Sequence, residues 1–211
     1  MTSAAAAMRS VLHGEAATVR DCVALAVAGG ALHGLALGAS SGEPVLALYS
    51  AVKIPLLLLC SCVVTLPNFY VPHAVLGLAA DFRAACRGLW AAQAALAVAL
   101  GALSPLVVFA FVSSGNGYFL TLADGLLFAV AAAVGHVVLR RHYAPLLQRD
   151  SRHRITLASW AVLYVFFSIQ LAWVLRPFLG TPGYPVEFLR PNALDRNAYV
   201  VLIEHFARLG R

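Results

Sequence analysis

The sequence predicts an all-α fold: a polytopic membrane bundle of five transmembrane helices, with interfacial helices beside it and an irregular, Pro-rich exterior C-terminal segment. Three observations lead there. Of 211 residues, 61% are hydrophobic and only 11% charged, with a mean hydropathy of +0.82, whereas soluble domains carry about a quarter of their residues as charges. Five apolar segments run from about Cys22 to Ala39, Val45 to Leu66, Leu89 to Val112, Tyr118 to Leu139 and Ile155 to Leu175. Each is near the roughly 20 residues that cross about 30 Å of hydrocarbon. None alternates strictly with period two, which favours a helical bundle over a barrel.

The chain divides into an N-terminal segment (1–21), the five-helix domain (22–175) and a C-terminal segment (176–211). The N-terminal segment carries arginine and acid where a signal peptide would hold its apolar run, so it is expected to be retained, cytoplasmic and partly helical. The first apolar segment contains Gly30, Gly34 and Gly38, two overlapping GxxxG steps that strip one stripe of side chains and admit another backbone. The stripe suits an internal packing seam or a contact with a second copy or partner subunit.

The second segment, VLALYSAVKIPLLLLCSCVVTL, lies between Pro44 and Pro67 and contains a single charge, Lys53, the only lysine in the protein. An ammonium in a spanning helix is costly unless it is paired or wet. Cys60 and Cys62, two positions apart, point to different sides of a helix and read as apolar filler rather than metal ligands. Pro67 and Pro72 are expected to end this helix, and Ala74 to Cys86 to lie as a short helix along the membrane surface. Pro55 and Pro105 sit inside the second and third segments, where kinks are expected. Ser113 to Gly117 reads as a turn without a preceding strand, so it is no phosphate cradle.

Arginine placement predicts orientation. Arg9 and Arg20 precede the first span, Arg83 and Arg87 lie between the second and third, and Arg140, Arg141, Arg149, Arg152 and Arg154 between the fourth and fifth. The other two connections have neither lysine nor arginine, which places the N-terminus in the cytoplasm and the C-terminus outside. The expected location is a bacterial inner membrane or an internal membrane. The net charge of +6 is spread over the ends of apolar runs, which suits topology determinants and not a nucleic-acid face. After the fifth span, Pro177, Pro182, Pro185 and Pro191 forbid a helix, while Phe178, Tyr184, Val186 and Phe188 suggest an ordered cover. Asn192 can cap a last amphipathic helix through Tyr199, Leu202, Phe206 and Leu209.

Counting inward from the expected outer ends, His33 is 6 residues from Ala39, Lys53 8 from Val45, Ser104 8 from Val112, Asp124 6 from Tyr118 and Gln170 5 from Leu175. At the helical rise these lie about 8–12 Å deep, so each helix brings one polar side chain to one layer. Such a cluster of Lys53, Asp124, His33, Gln170 and Ser104 allows a Lys53–Asp124 ion pair, with His33 and Gln170 hydrogen-bonding to it. The alternative is a lysine that snorkels toward Glu43. The cluster would either fix helix register or form a solute, proton or headgroup site. His136 reads as packed or interfacial, and Gln93 and Thr65 as a similar polar level near the inner boundary.

No HExxH, GxSxG or P-loop pattern occurs, and the His and Cys spacings fit no metal site. The expectation is a non-enzyme without a cofactor. Five spans with this orientation, together with the KIPLLLL run of Lys53 to Leu59 followed by Pro67, resemble the Yip1-type family and bacterial multi-span membrane proteins. The acidic-aromatic signature that Yip1 proteins carry before their first helix is missing, and the exterior tail is long. The resemblance implies a non-enzymatic scaffold or accessory subunit, partnered by the lipid bilayer and by another membrane protein or a second copy. The alternative is a small transporter or channel built on the polar layer.

Overall fold

The computed structural model describes residues 3–13, 18–40, 42–114, 117–179, 186–190, 193 and 198–200. Within them the chain is helical, with no strand: α1 (Ser3–His13), α2 (Val19–Ala39), α3 (Pro44–Val75), a 3₁₀ turn (Ala79–Asp81), α4 (Phe82–Ser114), α5 (Gly117–Arg149) and α6 (His153–Leu175). Five of these elements, α2 to α6, are long and apolar enough to cross a bilayer. By that measure the chain is an integral membrane protein. Leu122, Leu126, Val162, Val165 and Phe166 lie exposed on α5 and α6, as lipid-facing side chains should.

Helix α2 starts where Thr18 accepts a hydrogen bond from the Asp21 amide, and it packs on both α3 and α4. Glycine makes that possible. A Cβ on Gly34 would strike the Ser50 carbonyl, one on Gly30 would press on Pro55 at 3.2 Å, and one on Gly38 would meet Ala47. Gly29 faces Ala97 of α4 just as tightly. The glycine stripe is therefore spent inside the chain, on the α2–α3 seam. Helix α5 packs on α4, and α6 on α3. Although consecutive, α5 and α6 touch each other little.

Two expectations about the α3–α4 connection fail. Helix α3 does not stop at Pro67 but continues through Pro67 and Pro72 to Val75, and Ala74 to Cys86 forms no separate surface helix. Instead α4 begins at Phe82, immediately after the 3₁₀ turn. An interior proline costs a helix about 3 kcal/mol, but stopping early would expose Phe69 and His73, both fully buried. They join a cluster with Cys62, Ala85, Leu89, Leu139, Tyr143 and Trp160 that draws on α3, α4, α5 and α6. Tertiary burial thus overrides the proline signal. Pro55, Pro105 and Pro145 also lie inside continuous helices.

A second cluster, Ala26, Ile54, Leu58, Leu96, Ala97, Leu100 and Ala131, fills the bundle toward the arginine-free end. Phe178, beyond α6, folds back against it. Helix α1 lies at the other end, on α2 and α4, with Val11 buried against Cys22, Ala91 and Val138. Of the expected turn at Ser113 to Gly117, Ser113 and Ser114 belong to the end of α4 and Gly117 starts α5, while Gly115 and Asn116 lie outside the described residues, as does most of the last amphipathic helix. Asn192, Leu202, Phe206 and Leu209 are among those not described, although 198–200 are helical.

Candidate functional site

The predicted polar layer separates into two nodes. In the first, His33 of α2 is fully buried, with Nδ1 3.1 Å from the Leu100 carbonyl and Nε2 2.9 Å from Asp124 Oδ1. The edge of Phe128 packs on its ring at a centroid distance of 5.5 Å. Ser104 donates to the same Leu100 carbonyl at 3.2 Å. Both acceptors facing His33 are oxygens, so Nδ1–H must donate to Leu100. The short Nε2···Oδ1 contact then needs one proton, carried either by the imidazolium or by the carboxylic acid. The contact ties α2 to α5.

In the second node Lys53, also fully buried, donates from Nζ to the Pro177 carbonyl at 2.7 Å. Ser50, one turn earlier, donates to the Phe178 carbonyl at 2.9 Å. The rings of Tyr49, Phe178 and Phe188 lie 6.0, 5.8 and 5.2 Å from the ammonium, close enough for cation–π attraction. The expected Lys53–Asp124 ion pair does not form, and Lys53 does not reach out to Glu43. The reason is local: Pro177 and Phe178 bring bare carbonyls into the bundle within reach of α3, while His33 stands between α2 and α5 and takes the carboxylate. Gln170 also departs from the expectation. Its Oε1 accepts from the Ala198 amide at 3.0 Å, beside a stacked Phe166–Tyr199 pair whose centroids are 4.6 Å apart.

A third group escaped sequence reasoning. At the arginine-bearing end His73, Tyr143, His153 and Thr156 are all fully buried. His73 Nδ1–H donates to the Phe69 carbonyl at 2.8 Å, leaving Nε2 to accept from the Tyr143 hydroxyl at 3.3 Å. The Thr156 hydroxyl stands 3.4 Å from the Tyr143 oxygen. His153 Nε2 meets Asp81 Oδ2 at 3.3 Å, and Arg149 donates to Asp81 Oδ1 at 2.7 Å. Beside this group Trp160 donates to Thr65 at 3.1 Å, and Tyr164 to Gln93 at 3.1 Å. Thr65 and Gln93 therefore act as acceptors for α6. His136 is exposed on α5. Reading 67–86 and 140–154 as connections between spans hid His73, Tyr143 and His153. The available signal was the helical spacing of Phe69 with His73 and of Leu139, Tyr143 and Leu146.

Between α5 and α6, Asp150 accepts from the Arg152 backbone amide at 2.8 Å and from its guanidinium at 2.6 Å. These bonds hold its carboxyl down at about 2. Arg152 also donates to the Leu76 carbonyl at 2.9 Å, tying the α5–α6 turn to the end of α3. No protein-family model matches this chain, and no curated protein or solved structure does.

Proposed function

We propose that the protein is a non-catalytic scaffold or accessory subunit of a membrane complex, with its N-terminus cytoplasmic and its C-terminus exterior, in a bacterial inner membrane or an internal membrane. The observation that carries this reading is the Lys53–Pro177 hydrogen bond. The one lysine of the bundle closes on the chain's own backbone, which suits a group that organises structure. The five-span arrangement, with its likeness to Yip1-type proteins, supports the same role. Helix α6 offers the open side for a partner: among the described residues, Ile155, Val162, Val165 and Phe166 along it are exposed.

The test is crosslinking in native membranes followed by purification of the full chain. A second membrane protein, or a second copy, is expected to co-purify in fixed ratio. A monodisperse monomer with no crosslinked neighbour would overturn the proposal. Transport is a second reading, favoured by the 2.9 Å contact between His33 and Asp124 and by the partial exposure of the Asp124 side chain. It requires that Asp124→Asn abolish a proton-coupled flux while the protein still accumulates.

A further inference from the structure

Three cations gather where the C-terminal segment meets the arginine-free end of the bundle. The bond from Lys53 to the Pro177 carbonyl brings Arg176, the preceding residue, to this mouth. The Phe188 ring, 5.2 Å from the same ammonium, brings Arg190 two positions further on. Burial and the neighbouring Arg190 guanidinium hold Arg176 below the usual arginine range. The Arg176 guanidinium stacks on Trp173 at 3.3 Å, yet its Nε is buried without a hydrogen-bond partner among the described residues. Among the described residues, no carboxylate lies within ion-pair distance of Lys53 or Arg176. Buried N–H donors are almost always satisfied, so a bare Nε beside converging positive charge calls for an acceptor.

The geometry points to an oxyanion site at this mouth, in which a phosphate group sits between Arg176 and Arg190 above the charge of Lys53. Guanidinium suits the task because it presents parallel N–H donors to two oxygens of one phosphate. Stacking on Trp173 fixes the plane of the Arg176 fork, so little rotamer freedom is lost on binding. Lys53 already donates to Pro177 and contributes through its charge, which is shielded from water by burial. Two sources share this chemistry: the headgroup of an anionic lipid, and a soluble phosphate. Arg176 follows directly on the last residue of α6, Leu175, where a spanning helix gives way to the surface and headgroups are within reach.

The full chain, purified in neutral detergent, is to be titrated separately with phosphatidylglycerol, phosphatidylcholine and inorganic phosphate. The readouts are the thermal unfolding midpoint and the lipid retained in native mass spectrometry. Phosphatidylglycerol should raise the midpoint and be retained in preference to phosphatidylcholine. Arg176→Gln should weaken retention by about tenfold or more, the worth of one charge-assisted bond. Arg176→Lys, which keeps the charge and loses the fork, should fall between the two. If Arg176→Gln does not accumulate, Arg190→Gln carries the same expectation. A midpoint rise with inorganic phosphate alone that disappears in the variant also upholds the site, and identifies the source as soluble. Equal response to all three additives would overturn it. So would an equal loss in Arg154→Gln, since Arg154 is an exposed arginine at the opposite end of α6.

Discussion

At the arginine-bearing end, four helices meet around Phe69, Tyr143 and Trp160, and the buried polar groups His73, Thr156 and Thr65 bond to neighbours on those same helices. At the arginine-free end, Lys53 and Ser50 bond instead to the backbone of Pro177 and Phe178, residues of the segment that follows α6. The first end is closed by side chains on rigid rods. The second is closed by a strap, Pro177 and Phe178, that turns back from the end of α6 onto α3. Because α5 and α6 touch each other little, the strap provides the packing at the arginine-free end that helix contact provides at the other. The difference teaches that one bundle can be cooperative at one end and separable at the other.

Substitutions can break or sharpen that contrast. The largest effect is expected for Phe69→Ala, which empties the centre of the four-helix cluster and should cost about 3–5 kcal/mol, read as unfolding in detergent titration. An undiminished midpoint would show that the cluster does not hold the helices together. Gly34→Ala drives a methyl into the Ser50 carbonyl and should cost about 1–3 kcal/mol, while Gly125→Ala, which meets nothing within 4 Å, should leave the midpoint unchanged. Tyr143→Phe removes the hydroxyl facing His73 and should cost about 1 kcal/mol, leaving Nε2 of His73 without its donor.

At the arginine-free end the expected signature is different. Lys53→Met should leave the bundle's midpoint nearly unchanged but free the strap, so that protease cuts near Phe178 and Phe188 sooner than in the parent chain. Equal protection would mean that Phe178 packing alone retains the strap. The smallest effect concerns Asp150. Its carboxyl is held down to about 2 by Arg152, so the contribution is present above the ordinary carboxyl range near 3.8 and is lost as pH falls through about 2. Asp150→Asn should remove that acid-limb dependence and little else, as read from unfolding midpoints between those pH values.

Several of these features could be read from residues alone because each is a property of one segment. Length and hydropathy give five spans, period four gives the glycine stripe, and a fixed rise per residue puts His33 and Lys53 at one height. Gly34 and Ser50 indeed face each other across the α2–α3 seam. The buried group around His73 and His153 was missed for the opposite reason. Prolines and arginines nearby argue for a surface loop, and only the packing of four helices makes burial of that stretch favourable.

The sequence by itself determined that the chain holds five helices long and apolar enough to cross a bilayer, that α2 carries a bare stripe, and that a lone ammonium sits where it must find an acceptor. Only the tertiary structure decided which acceptor. The order of helices around the bundle and the return of Pro177 and Phe178 are set by long-range packing. A backbone carbonyl more than a hundred residues from Lys53 carries no mark in the sequence that distinguishes it from any other.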